Sequence, residues 1–276
     1  MAPAHQHIKD TVEHNMNSRF QFIAMVLSAS IALPAMSQHS RVASVKSMPF
    51  DLTPRVQPSQ CGDFQGHFGP FDYRTADPRD KRVVEEYHLD MELQTFLSGQ
   101  LVGRNRSGTS AVIGGFNYVL KAMPNHPVAL MVMEQYARKV KSDTPSGSDY
   151  PMECWYLRGF MIAPDDPVVR LMYGIFLANR GREAEALNNL KIADAATQSA
   201  PALQHQLGLA YIQIKQYRAA QLCALRLKRA KFPLDGVERQ LREANKWDSA
   251  LVLPAEPGAT ETAASAPETS ASSPGQ

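Results

Sequence analysis

Over residues 167–220 the large and small apolar positions recur with one phase. Gly174 and Gly208 lie 34 residues apart, and the pairs Tyr173/Leu207, Leu177/Tyr211 and Ala186/Ala220 keep the same offset. Each unit reads as two helices, opening on Pro167-Val-Val-Arg-Leu-Met-Tyr-Gly in one case and Pro201-Ala-Leu-Gln-His-Gln-Leu-Gly in the other. A glycine inside a helix costs about 1 kcal/mol. Two of them in register, each followed by a matched alanine, mark places where paired helices cross too closely for a side chain. Upstream, Pro127-Val-Ala-Leu-Met-Val-Met-Glu predicts a third, weaker unit with Glu134 in place of the glycine. Its surplus length falls in the Pro/Gly/Ser-rich stretch 142–149, a surface position where an insertion is tolerated. Its second helix is expected over 150–163, and residues 112–122 read as a lone second helix ahead of the array. That makes three units and a half, and three are about the minimum that bury a continuous core. Beyond them, 233–247 predicts a capping helix with Val237, Leu241 and Ala244 on one stripe. Before them, Asp77-Pro78 opens a helix expected to run to about Ser98, with Val84, Tyr87, Met91 and the apolar residues of 93–97 docking on the array.

The period, together with a large residue before a small glycine and an alanine in the second helix, resembles the tetratricopeptide repeat. The Cys61-Gly-Asp-Phe opening, the helix carrying Glu85 and His88, Pro124-Asn-His-Pro127 and Glu153-Cys-Trp155 look like a group of exported bacterial tetratricopeptide proteins. That resemblance implies an all-α solenoid of helical hairpins, about three and a half repeats, with an irregular lead-in and a capping helix. It also implies a concave groove, lined by the first helix of each unit, that binds proteins or peptides. Carried over position by position, the groove takes Met131, Gln135 and Arg138 from the weak unit, and Leu171, Ile175 and Asn179 from the middle one. The last unit supplies His205, Leu209, Ile212 and Gln213. The trough is mostly apolar with a basic lip. Repeat proteins that clamp a terminal carboxylate use Lys, Asn and Arg, whereas those positions here carry Met131, Gln135, Met172, Ala202 and Gln206. The expected ligand is therefore a protein or peptide with an apolar or amphipathic segment.

The chain ends divide the rest. Arg19 precedes an uncharged apolar run at 20–33 that closes on Ala35-Met-Ser37, which reads as a signal peptide over 1–37, with Met16 as an alternative start. The run is too short for a comfortable membrane span, which needs about 20 apolar residues. No stable membrane insertion is expected after cleavage, and export to the periplasm, or secretion, follows. A linker covers 38–60, the lead-in and docking helix 61–111, the repeats 112–232 and the cap 233–247. Residues 248–276, rich in Pro, Ala, Ser, Thr and Glu, predict a disordered tail. Lysine and arginine number 29 against 27 acidic residues, a net charge of +2 that points to no nucleic-acid partner. An oxidising compartment lets the three cysteines pair. Three single bridges are open, and Cys61 to Cys154 is favoured, because Cys61 needs an anchor while Cys223 falls in a repeat helix as a small buried thiol.

Catalytic chemistry is the competing class. Glu85 and His88 share a helix face as in half of a dimetal carboxylate site, but no second Glu-x-x-His follows. His67, Asp72, His88 and His126 are the alternative set for a metal or a general base. No Gly-x-Ser-x-Gly elbow and no phosphate loop occur, so no catalytic residue, metal or cofactor is assigned. A third alternative is a structural protein whose groove is filled by its own aromatic segment 64–73.

Overall fold

The structure, a computed structural model, describes residues 56, 58–105 and 108–254. The expected signal segment, most of the linker and residues 255–276 lie outside them. Ten α-helices and one β-hairpin make up the described fold, which is mostly helical. A 3₁₀ turn, Pro58–Cys61, leads into an irregular segment. Then come α1 (Pro78–His88), α2 (Asp90–Leu97), β1 (Val102–Asn105), β2 (Gly108–Ala111) and α3 (Val112–Ala122). The remaining helices are α4 (Pro127–Lys139), α5 (Met152–Ile162), α6 (Pro167–Ala178), α7 (Glu183–Ala196), α8 (Pro201–Gln213), α9 (Tyr217–Arg229) and α10 (Gly236–Glu243). Helix α6 pairs closely with α7 and α8 with α9, and α10 closes the end against α8 and α9.

Proline occupies the first turn of α1, α4, α6 and α8, where its missing N–H costs nothing and its fixed φ suits a helix. Asp77, His126 and Asp166 cap three of these with side-chain acceptors for free backbone N–H groups. The first helices also stop alike. Lys141, Gly181 and Lys215 follow α4, α6 and α8 with φ of 56°, 70° and 59°, the left-handed turn that frees the chain from the helix. A lysine pays a steric penalty there that glycine avoids. Lys215→Gly is therefore expected to raise stability by about 0.5–1 kcal/mol, read as a higher denaturant midpoint with an unchanged slope.

The two repeat glycines sit at helix crossings. A Cβ on Gly174 would lie 2.7 Å from the Leu190 side chain on α7, and one on Gly208 would lie 2.7 Å from Val237 on α10 and 3.3 Å from Cys223 on α9. The core runs the length of the array through Trp155, Tyr156, Phe160, Tyr173, Phe176 and Tyr211. Between neighbouring helices, tyrosine hydroxyls donate to buried carboxylates. Tyr156 bonds Glu134 at 2.6 Å across α5 and α4, and Tyr173 bonds Glu153 at 2.6 Å across α6 and α5. The long α4–α5 connection is stitched down by Asn117 to the Gly147 carbonyl, by Lys121 to Asp149 and by Trp155 to Ser148.

Three expectations change. The helix expected over 78–98 breaks at Leu89 into α1 and α2. The break lies where α3 crosses, since a Cβ on Gly115 would come within 2.4 Å of the His88 carbonyl oxygen. Residues 102–105 and 108–111, assigned to no element from sequence, form two antiparallel strands pairing Val102 with Ala111. At the far end, α10 stops at Glu243, so Ala244 is exposed rather than on the buried stripe of Val237 and Leu241. Asp248, at the start of the expected tail, is held by two hydrogen bonds with Gln221.

Candidate functional site

The first helices α4, α6 and α8, with Asn179 capping the end of α6, carry the ten groove positions, and the structure brings part of that set together. Gln213 donates to Asn179 at 2.9 Å, joining the exposed ends of α8 and α6 through residues one repeat period apart. Gln135, Ile175, Leu209 and Ile212 are half-buried, and Arg138, Asn179 and Gln213 are exposed. Leu171 is only 1% exposed, Met131 and His205 8% each, so these three offer no surface to a partner. His205 faces the α9–α10 connection instead, its Nε2 beside Gly236 and its ring 6.2 Å from Phe232, and burial depresses its pKa. The cause is geometric. A stripe at four-residue spacing winds about 40° per step round a helix of 3.6 residues per turn. Each of the series 131–135, 171–175–179 and 205–209–213 thus begins inside and moves outward. The accessible face is the C-terminal half of each first helix.

At the opposite ends of α4 and α6, where these helices start, the lead-in is tied in by a polar knot. The Tyr73 N–H donates to Asn125 Oδ1 at 2.8 Å, and Asn125 Nδ2 donates to Asp72 at 2.7 Å and to Asp166 at 2.9 Å. Arg74 spans Asp72 and Asp165 at 2.7 Å each. The Tyr73 hydroxyl donates to Glu85 Oε1 at 3.0 Å and its ring lies 4.3 Å from that of His126. His126 caps α4 by accepting the Ala129 N–H on Nδ1 at 3.2 Å, so its proton is on Nε2, which faces Glu85 at 3.1 Å. The bond from His126 holds the Glu85 carboxyl below its usual range, against burial, while burial pushes Asp166 up despite its hydrogen bonds.

Both ring nitrogens of His126 are thus committed, one to a backbone donor and one to a carboxylate. As a chemical unit the knot holds the lead-in against the starts of α4 and α6. Asp72 of the alternative set belongs to the knot, held by Asn125 and Arg74, and the set's other two histidines are elsewhere. His67 is exposed on the lead-in, and His88 stacks on Tyr118 at 3.6 Å, away from Glu85's partners. Among the described residues no group of three or more His, Cys, Asp or Glu is placed to hold a metal ion. A shallow recess beside β1 and α2, lined by Glu92, Thr95, Gly103, Arg104, Ser110 and Val112, encloses no volume that would hold even a water molecule. Small-molecule sites have about 300–1,000 Å³.

Cys61 and Cys154 form a disulfide joining the lead-in to α5. Beside it Arg158, fully buried, donates from Nη1 to the Cys61 and Asp63 carbonyls at 2.7 and 2.8 Å and lies against the rings of Phe64 and Tyr150. Burial lowers its pKa. The aromatic lead-in is therefore anchored on α5 and on the α3–α4 turn, where Phe71 N–H meets the Ala122 carbonyl at 2.8 Å. Cys223 is a free buried thiol, pushed up to about 12 by burial. No described helix is long and apolar enough to cross a membrane. The knot escaped sequence reasoning, although the matched punctuation Asn125-His126-Pro127 and Asp165-Asp166-Pro167 marks its floor. Comparison with protein-family models, with curated proteins and with solved structures finds no match to this chain.

Proposed function

We propose that this chain is an exported, non-catalytic adaptor, a tetratricopeptide-like array of about three and a half repeats that holds a protein or peptide across the C-terminal halves of its first helices. The observation that carries this reading is the Gln213–Asn179 bond, which sets repeat-equivalent positions of α8 and α6 side by side on an exposed face. Around it lie half-buried Ile175, Leu209 and Ile212, an apolar strip with amide and guanidinium groups at its rim. Such a strip suits an amphipathic or extended apolar segment. Export is supported by the disulfide, which persists in oxidising compartments, and by the signal-like N-terminus. The non-catalytic reading rests on the committed nitrogens of His126 and the separation of His88 and His67 from the acidic groups of the knot. The lead-in's anchors on α5 and the α3–α4 turn favour an open face over a self-filled one.

The test is a crosslinking pull-down from the envelope fraction using the full chain and its Leu209→Glu variant. Captured partner is expected to fall about tenfold or more, equivalent to about 1.4 kcal/mol, while circular dichroism shows unchanged helicity. Capture that survives Leu209→Glu would remove this face from the proposal. Loss of a measurable turnover on changing His88 would instead favour an enzyme.

A further inference from the structure

The cap of the array is lightly held. Helix α10 is eight residues long, buries Val237 and Leu241, and Asp235 at its N-terminus makes no capping hydrogen bond. Val237 lies against Gly208 of α8, so the helix closes the end of the last repeat. At its first residue stands His205. This side chain is 8% exposed, and a Cβ on Gly236 would come 3.3 Å from its Nε2. Phe232 of the α9–α10 connection lies 6.2 Å from its ring. Its Nδ1 is buried and has no hydrogen-bond partner among the described residues. One repeat period earlier the equivalent position is Leu171, 1% exposed. An imidazole therefore stands where the array otherwise places a buried aliphatic side chain.

Most charges on the surrounding elements are engaged with one another. Helix α8 itself carries none. From α6, Arg170 donates to Asn189, and Asp194 of α7 holds Arg226 of α9. Lys228 at the end of α9 pairs with Glu238 of α10 at 2.9 Å, and Asp235 pairs with Arg239 at 3.4 Å. Arg229 and Lys231 are exposed on either side of Ala230. Burial lowers the His205 pKa, and the charge of Asp235, which favours the imidazolium, only reduces that effect.

We propose that His205 is an acid-operated release for the cap, its protonation lifting α10 from the end of the array. In the neutral ring one nitrogen donates and the other accepts, whereas the imidazolium carries an N–H on both. Its Nδ1–H is then a charged, buried donor without an acceptor, and moving α10 aside gives it water. The helix yields first because it is short and terminal and has few buried contacts. The direction follows from linkage. The opened state takes up the proton near the ordinary value of 6.5 and the closed state only below it, so closure is strongest above that pH and weakens as pH falls toward the depressed value. Glu238 does not imitate the effect. Burial works against its charge, but the hydrogen bonds from Lys228 and Arg242 hold its carboxyl below the usual range, so it stays ionised in mild acid.

Hydrogen exchange of the full chain at about pH 7.5 and about pH 5, corrected for the intrinsic exchange rate, tests this. Protection of residues 236–243 is expected to fall about tenfold on acidification, while that of α6 and α7 holds. His205→Leu, which installs the residue of the preceding repeat, should keep α10 protected under both conditions. His205→Gln gives the same readout with a neutral polar side chain if leucine disturbs the packing. Unchanged protection of α10 in the parent overturns the proposal. So does a loss shared equally by α6 and α7, and so does a loss of the same size in the folded variant, which would put the trigger on another group.

Discussion

Replacing Cys61 and Cys154 together by alanine is expected to lower the unfolding free energy by about 4 kcal/mol. The bridge spans a sequence separation of 93 residues, and closing a loop of that size removes about 4–5 kcal/mol of conformational freedom from the unfolded chain. A second loss adds to this. Both sulfurs are fully buried, and the lead-in they fasten also carries the Cys61 and Asp63 carbonyls that receive Arg158. If the lead-in detaches, a buried guanidinium loses its acceptors and its aromatic cover. Denaturant unfolding with and without reductant reads the effect. The parent in reductant should approach the double variant, and hydrogen exchange should rise first around residues 58–64. A change below about 1 kcal/mol would mean that the lead-in contributes little to the fold.

The second large effect is expected at Arg182. Its guanidinium donates to Glu153 at 2.7 Å from Nη1 and to Glu185 from Nε and Nη2 at 2.7 and 2.5 Å, with side chains of Arg182 and Glu153 only 4% and 6% exposed. Glu153 also accepts the Tyr173 hydroxyl. Arg182→Met leaves a buried carboxylate with one neutral donor, a situation that costs about 3–5 kcal/mol. Adding Glu153→Gln removes the stranded charge, so the double variant should be more stable than Arg182→Met alone. That reversal separates a charge effect from lost packing. Arg226, which holds Asp194 at 2.8 Å one helix pair later, provides the comparison. It is more exposed, with side-chain exposures of 16% and 17% for the pair, and its loss should cost less.

Much of the helical order could be read from sequence because it is written in small residues and prolines at regular intervals. Gly174 and Gly208 carry the phase, since nothing larger fits against Leu190 and Val237, and the prolines at 127, 167 and 201 mark where first helices begin. What could not be read depends on contacts between unlike positions. Tyr173 meets Glu153 and Arg182, whereas its repeat equivalent Leu207 meets neither, so no periodic pattern announces the buried triad. The β-hairpin was missed because four-residue strands are too short for alternation to show. The ten groove positions divide between surface and core for a related reason. The 34-residue offset pairs Asn179 with Gln213, which are hydrogen-bonded to each other, but it does not say how far a stripe has rotated toward the core.

The disulfide also sets a load path. Tension drawn along the chain from its two ends passes from Cys61 to Cys154 through the sulfur bridge and bypasses α1 to α4 altogether. Only the helices beyond the bridge would pull out, and about 300 Å of contour length would stay locked until the bond is reduced. That divides the molecule mechanically. The N-terminal helices are shielded from force, and the part that carries most of the proposed peptide-binding strip yields to it.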